Sequence, residues 1–157
     1  MKRLLVPAAA AAVAVLVVAV VNATATGSRS AVGGSIHVIE HATTDAVTNG
    51  SAADSAGNVL TFANDVFNNA DAKKVGSDQG YCIRIVVGKA WECNWTTFLS
   101  DGQITVEGPF SDTGNTVLAI TGGTGKYRNA GGSMELKYHN AAGTEFDFVF
   151  NLHGGDA

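Results

Sequence analysis

The chain has 157 residues, a length typical of one domain, and 46% of these residues are hydrophobic. It carries 10 lysines and arginines against 14 acidic residues, which gives a formal net charge of −4 at pH 7. An acidic chain without a basic run is poorly suited to bind nucleic acid or anionic membranes, so the charge pattern excludes both classes of partner.

The first 25 residues have the pattern of a secretory signal peptide. Lys2 and Arg3 precede an apolar, alanine-rich run from 4 to 21, and Ala23-Thr24-Ala25 matches a small-x-small cleavage site. The alternative is an uncleaved membrane anchor, since this apolar run nearly spans a bilayer. Cleavage near Ala25 predicts a secreted protein and leaves 8 basic residues against 14 acidic ones, a net charge of −6.

Residues 26–34 are small and polar and are predicted to form a linker, and a β-rich domain is predicted from 35 to 157. Apolar and polar residues alternate in this domain, as in Met134, Leu136 and Tyr138, and glycine-rich turn signals separate the alternating runs. Strands are predicted near 35–42, 58–66, 79–87, 90–99, 102–109, 115–121, 131–139 and 144–153. Short antiparallel strands in this number predict a closed up-and-down barrel or a sandwich, and a barrel can hold one small ligand.

Two strands near the middle of the chain are predicted to form a hairpin that turns at Val87-Gly88. In this register Cys82 lies opposite Cys93, and opposed Cα atoms in antiparallel strands are close enough for a disulfide. An exported protein favours such a bond. No histidine lies at ligand spacing from the two thiols, so a zinc site is not expected there.

One face of the same hairpin combines residues of unusual chemistry. Alternation places Arg84, Trp91 and Trp95 on the face that carries the two cysteines, and Arg84 lies opposite Trp91. This arrangement predicts a cation–π pair. If the face points inward, Arg84 needs a carboxylate partner or a ligand anion. The alternative is a packed core with one arginine whose charged end reaches solvent.

The glycine-rich stretch from 120 to 128 suggests a phosphate loop, but its spacing is wrong for one. A P-loop would require glycine where Ile120 stands and a hydroxyl where Tyr127 stands. The stretch continues into Ala130-Gly131-Gly132, which does not favour the helix that would meet a phosphate. The pattern predicts a tight turn between two strands.

Four segments together resemble the allene oxide cyclase barrel-like group, which includes plant allene oxide cyclases and dirigent proteins. They read GNVLTFANDVF, VGSDQGYCIRI, WECNWTTFLSDGQITVEGP and LAITGGTGKYRNAGG, and the resemblance extends from about residue 36 to the C-terminus. It implies an eight-stranded antiparallel barrel with an apolar cavity, usually assembled as a homotrimer. It also implies that TGGTG is a structural turn.

The resemblance implies several site residues. The cyclases close an unstable allene oxide into a cyclopentenone, using an acidic group, a water-holding asparagine and a cysteine. Asn64 and Cys82 match the asparagine and the cysteine, and Glu40 is the candidate acid in the first strand. Phe110 replaces a tyrosine of the cyclases, which puts the same water network in doubt. Dirigent proteins have a second arginine where Gly131 stands, so this chain departs from that pattern too.

Each candidate also has a structural interpretation. Glu40 is either a proton donor with a raised pKa inside the barrel or a solvent-facing glutamate, and Asn64 is either a ligand of water or a turn residue. His37 and His41 fall on the opposite strand face, so no acid–base pair with Glu40 is expected. Cys82 acts as a nucleophile only if it is not oxidised.

Together these observations predict a secreted barrel that binds a small apolar or phenolic ligand and steers its stereoselective cyclisation, isomerisation or coupling. The predicted catalytic residues are Glu40 and Asn64, and no cofactor or metal is expected. The alternative functions are non-catalytic extracellular binding and a purely structural domain with a filled barrel. The predicted ligand contacts are Cys82, Arg84, Trp91, Trp95 and Phe110.

Overall fold

The structure is a computed structural model that describes residues 33–154. The predicted signal peptide, residues 26–32 of the predicted linker and residues 155–157 lie outside the described part. Among the described residues no helix is long and apolar enough to cross a membrane. The strands are β1 (Gly34–His41), β2 (Ala46–Asn49), β3 (Val59–Phe62), β4 (Asp65–Asn68), β5 (Lys74–Val86), β6 (Ala90–Leu99), β7 (Gly102–Ser111), β8 (Thr116–Gly123), β9 (Ala130–Tyr138) and β10 (Glu145–Gly154).

Eight of these strands close into an antiparallel barrel. The strand order around it is β5-β4-β1-β10-β9-β8-β7-β6, and pairing between β5 and β6 completes the ring. Every strand of the ring except β1 and β4 pairs with its immediate neighbours in the chain, and β1 joins the two ends of the meander through β10 and β4. The predicted eight-stranded up-and-down barrel is therefore confirmed.

One predicted strand is divided in two. The alternating run from 58 to 66 forms β3 and β4, which pair with successive parts of β5. Asn64 lies between them and keeps backbone hydrogen bonds with Asp78 of β5 in both directions. The short strand β2 continues the bent path of the chain after β1 and pairs only with β3. The strand β2 was not predicted from the sequence. All four of its residues are exposed, so this strand has no buried face that would produce an alternating pattern.

The hairpin of β5 and β6 has the predicted register. Cys82 is paired with Cys93 and Arg84 with Trp91, and the register shifts only near the turn, between Arg84 and Val86. Gly88 has a φ of 66°, a left-handed conformation that favours glycine at this turn position. The turn geometry thus sets the pairing that brings the two cysteines together.

The glycine-rich corner is a turn between barrel strands, as predicted. β8 ends at Gly123, a single 3₁₀ turn follows from Gly125 to Tyr127, and β9 begins at Ala130. Gly125 has a φ of 60°, and a Cβ atom there would collide with the carbonyl oxygen of Asp101. The corner therefore requires glycine for the backbone path rather than for a bound phosphate.

The two ends of the barrel interior differ. The end near the β8–β9 corner is filled by aliphatic and aromatic side chains, whereas the end near the β1–β2 bend contains aromatic residues and polar groups. Side chains at this filled end belong to the hydrophobic core of the barrel. Its buried members include Val38, Val66, Ile104, Val106, Leu118, Ile120, Tyr127, Met134, Phe150 and Leu152.

Candidate functional site

A small cavity lies in the polar end of the barrel. Its volume is about 50 Å³, room for one or two water molecules and below the 150 Å³ of a cavity that accommodates benzene. Most lining residues are apolar or aromatic, with two carboxyl side chains at one side. The lining comprises Glu40, Asp45, Leu60, Phe62, Cys82, Trp91, Cys93, Trp95, Phe110, Leu136, Phe146 and Phe148.

Glu40 points into the barrel, because it occupies an inward position of β1. It is only 5% exposed. The two neighbouring histidines of β1 lie on the outer face, as alternation predicted. His37 is hydrogen-bonded to Asp147 at 2.7 Å, and His41 is hydrogen-bonded to Asp71 at 2.8 Å. Glu40 therefore has no imidazole partner.

Asn64 connects Glu40 to the loop after β1. Its Nδ2 donates hydrogen bonds to Glu40 Oε1 and to Asp45 Oδ1, each at 2.8 Å. Its Oδ1 accepts hydrogen bonds from the backbone N–H groups of Thr43 and Thr44 and from the Thr44 hydroxyl, at 2.9 to 3.1 Å. All the polar capacity of the amide is thus used to hold the acid and the loop.

Asp78 is a third carboxyl group at this site, and sequence reasoning missed it. It is 2% exposed, and its Oδ1 accepts a hydrogen bond from the Asn64 backbone N–H at 3.3 Å. It occupies an inward position of β5, with the same parity as Cys82 and Arg84, so alternation along the strand could have identified it. Asp45 had no such signal because it lies in a loop.

Burial changes the protonation of this group of carboxyls. Desolvation, followed by the charge of Asp78, raises the pKa of Glu40 well above its usual range, and the hydrogen bond from Asn64 opposes this rise. Desolvation raises the pKa of Asp78 to about 7, against hydrogen bonds from Glu40 and from the Asn64 backbone. The directions of the two shifts favour a protonated Glu40 that donates a hydrogen bond to Asp78, with Asp78 the first of the two to ionise.

The cysteines form a disulfide bond that contributes to the cavity wall. Both are buried, with Cys82 6% and Cys93 2% exposed. The alternative of a free cysteine nucleophile at Cys82 is therefore wrong, since an oxidised sulfur has no thiolate to attack with. The residue still supplies apolar surface to the cavity.

Arg84 is buried but lies outside the cavity lining. Its Nη1 donates a hydrogen bond to Asp112 at 2.6 Å, and its Nε lies 2.7 Å from a carboxylate oxygen of Asp54. Its guanidinium carbon is 3.8 Å from the centre of the Trp91 ring, which is the predicted cation–π pair. The required carboxylate partners come from two loops of the protein, and Arg84 reaches the cavity only through Trp91.

The aromatic residues predicted as ligand contacts are brought together in the cavity wall. Trp91 and Trp95 are buried and Phe110 is half-buried. Phe110 contacts Phe146 edge-on, with ring centres 5.6 Å apart. Trp95 lies against Phe148, with ring centres 5.4 Å apart. Five of the seven predicted site residues line the cavity directly, and Asn64 reaches it through Glu40.

Among the described residues, one group has the side-chain types and spacing of a metal site. The ligating atoms of His41, Asp71 and Glu145 lie within 4.8 Å of one another on the barrel exterior. His41 already bonds to Asp71, and the group has no contact with the cavity. No metal role is assigned to it.

Comparison with known proteins identifies the family. A family model described as allene oxide cyclase matches residues 34–154. The chain belongs to the allene oxide cyclase family. The matched range contains every barrel strand and all of the cavity lining.

Solved structures with the same fold include proteins of several named activities. A protein described as a pyocyanin demethylase has 22% identity and a TM-score of 0.61, covering 74% of this chain and 100% of the other. The pterocarpan synthase dirigent protein PsPTS1 has 20% identity and a TM-score of 0.60, covering 79% and 96%. AbnU, an exo-specific intermolecular Diels-Alderase, has 17% identity and a TM-score of 0.63, covering 77% and 98%. At these identities the similarity establishes the fold that this allene oxide cyclase family member shares with them.

Proposed function

We propose that this family member binds a small apolar or aromatic ligand in its barrel and steers a stereoselective cyclisation, isomerisation or coupling. The observation that supports this proposal most strongly is the buried Glu40 carboxyl, whose pKa burial raises, in a cavity wall that is apolar apart from Glu40 and Asp45. Asn64 fixes its position with a 2.8 Å hydrogen bond. Perturbed carboxyls in clefts are typical of sites that transfer protons.

The proposed reaction needs no strong nucleophile in the cavity. A reactive ligand cyclises or couples on its own, and a rigid cavity that excludes water restricts it to one conformer. A neutral carboxyl can donate a proton or a hydrogen bond to an oxygen on which negative charge develops. Glu40 is therefore the proposed catalytic residue, Asn64 positions it, and Asp78 can return the proton. The dirigent and Diels-Alderase functions named for two structural neighbours are compatible with this proposal.

The aromatic wall supplies the proposed ligand contacts. Trp91, Trp95 and Phe110 would stack on or enclose the ligand, with the disulfide sulfur of Cys82 beside them. Because the cavity is only about 50 Å³, a ligand with a ring enters only if an aromatic side chain rotates. Phe110, being half-buried, is the candidate for that movement.

Product chirality tests this function. The wild-type protein is incubated with a short-lived allene oxide or with a phenol plus a one-electron oxidant, and the products are resolved by chiral chromatography. We expect an excess of one enantiomer with wild type, lost in Glu40→Gln and retained in Glu92→Gln, which changes an exposed glutamate of β6. Racemic product at an unchanged rate with both substrates would remove the catalytic proposal.

The alternative function is non-catalytic binding or a structural role on the same barrel. The small cavity volume specifically favours it, because aromatic side chains occupy most of the polar end. Incubation with mixed lipid and phenolic extracts, followed by native mass spectrometry, distinguishes a non-catalytic binding protein from a structural one. A retained small molecule without turnover indicates a carrier, and no retained molecule indicates a filled scaffold.

Secretion is proposed from the N-terminal pattern and from the disulfide, which persists mainly in oxidising compartments. Expression of the full chain in a secreting host, followed by N-terminal sequencing, tests this proposal. We expect a mature chain that begins after Ala25. A product that retains the first 25 residues and stays in the membrane fraction would support the anchor instead.

A homotrimer is proposed from the family resemblance, and an apolar strip on the outer face of β5 is its proposed interface. Tyr81, Ile83 and Ile85 lie side by side there and are 38–56% exposed. Contiguous exposed apolar surface on a soluble protein marks an interaction site. Light scattering should give three times the chain mass, and Ile85→Glu should reduce it to one chain. A monomeric wild type would contradict the assembly.

A further inference from the structure

One tryptophan of the cavity wall has an unused hydrogen-bond donor. Trp95 is 3% exposed, and its Nε1–H has no acceptor among the described residues. Trp91 lines the same cavity, but its Nε1 donates to Asp112 Oδ1 at 3.1 Å. Buried indole N–H groups usually have partners, because an unmade hydrogen bond costs free energy. The fold thus leaves the indole donor of a cavity-lining residue unsatisfied.

The aromatic neighbours of Trp95 offer only apolar contact. Phe62 lies edge-on to it with ring centres 6.0 Å apart, and Phe148 packs against it at 5.4 Å. Gly80 faces it across the β5–β6 pair, and any Cβ atom there would collide with the Trp95 Cβ. The opposing strand therefore cannot supply a side-chain acceptor without moving Trp95.

The charge of the cavity wall limits which ligands can supply the acceptor. Glu40 and Asp45 line the cavity, and no lysine, arginine or histidine belongs to the lining. Arg84, the nearest buried cation in the hairpin, is engaged by Asp54 and Asp112. An anionic ligand would meet the Asp45 carboxylate and no compensating positive charge, so a neutral ligand is favoured.

We propose that Trp95 is a specificity-determining residue that donates a hydrogen bond to an oxygen of a neutral, largely apolar ligand. The ligand class is then a ring-containing molecule with a carbonyl or ether oxygen. Hydrocarbons leave the donor unpaired and carboxylates meet an acidic wall. This inference depends on the proposed function, since it requires that the cavity admits a ligand.

Two probes of matched shape test this specificity: 1-indanone, which carries a carbonyl oxygen, and indane, which does not. Their affinities are measured for wild type and for Trp95→Phe, which keeps an aromatic ring but lacks the N–H group. We expect the variant to bind 1-indanone about five- to tenfold more weakly, the worth of one neutral hydrogen bond, and indane within about twofold of wild type. Equal weakening of both probes, or no change in either, would overturn the role of Trp95 while leaving ligand binding intact.

The protein has two tryptophans, so its indole N–H groups give two NMR signals that can be followed in wild type even if the variant fails to fold. We expect 1-indanone to move the Trp95 indole proton downfield and indane to leave it nearly unchanged. Identical responses to the two probes would overturn the inference. If wild type binds neither probe, the ligand-binding function fails, and the inference fails with it.

Discussion

Replacement of Asp78 by asparagine should make the protein more stable at alkaline pH. Burial raises the pKa of Asp78 from its ordinary value of 3.8 to about 7. Below pH 3.8 the carboxyl is protonated in both the folded and the unfolded chain, so it imposes no cost. As the pH rises from 3.8 to 7, the unfolded chain ionises first, and the folded chain loses stability until both are ionised.

The size of this effect follows from the same values. A rise from 3.8 to about 7, at 1.36 kcal/mol for each unit of pKa, corresponds to about 4 kcal/mol of lost stability above pH 7. Asp78→Asn cannot ionise, so its stability advantage over wild type should grow with pH by up to this amount. Asparagine keeps an oxygen that can accept a hydrogen bond from the protonated Glu40 carboxyl.

Urea denaturation followed by tryptophan fluorescence, at several pH values from 4 to 8.5, measures this difference directly. Glu92→Gln is the matched control, since it also exchanges a carboxyl for an amide but at an exposed position. Its stability should run parallel to wild type at every pH. If Asp78→Asn also runs parallel to wild type, Asp78 is ionised normally in the folded protein and the proposed proton sharing with Glu40 is wrong.

Three further variants test the surroundings of the cavity by equilibrium unfolding. Removing the disulfide, by alanine at both Cys82 and Cys93, should lower the free energy of unfolding by about 3 kcal/mol; an unchanged value would show that the bond does not restrain the unfolded chain. Arg84→Met should cost about 1.5–3 kcal/mol because it removes charge-assisted contacts to two partly exposed carboxylates, and a neutral effect would contradict the assigned ion pairs. Gly80→Ala should cost about 1–3 kcal/mol because the new methyl group collides with Trp95, and a gain in stability would refute that contact.

The fold was predictable because its determinants are local. Alternation with period 2 marks one barrel strand after another, and glycines mark the turns between them. The register of β5 and β6 followed from a single turn at Gly88, and with it the opposition of Cys82 and Cys93. A closed barrel then follows because the meander from β4 to β10 leaves two edges, and β1 pairs with both of them.

The candidate site was predictable only in part. Glu40 was proposed from the family resemblance, whereas Trp91 and Trp95 follow from strand parity, and the same parity would have found Asp78. The contacts of the loop residues could not be predicted, because alternation gives the facing of strand residues and not the path of a loop. The partners of Arg84 show this clearly, since Asp54 and Asp112 come from two loops, one before and one after Arg84 in the chain, that meet at the same guanidinium.

A protonated Glu40 carboxyl inside the barrel is the central requirement of the proposed function. Carboxyl ¹³C NMR of protein labelled at glutamate, titrated across pH 4 to 8, measures this protonation state, with Glu40→Gln identifying the signal. We expect the Glu40 signal to titrate well above its ordinary value of 4.5, as burial requires. A Glu40 signal that titrates near its ordinary value of 4.5 would contradict a dry, proton-donating cavity.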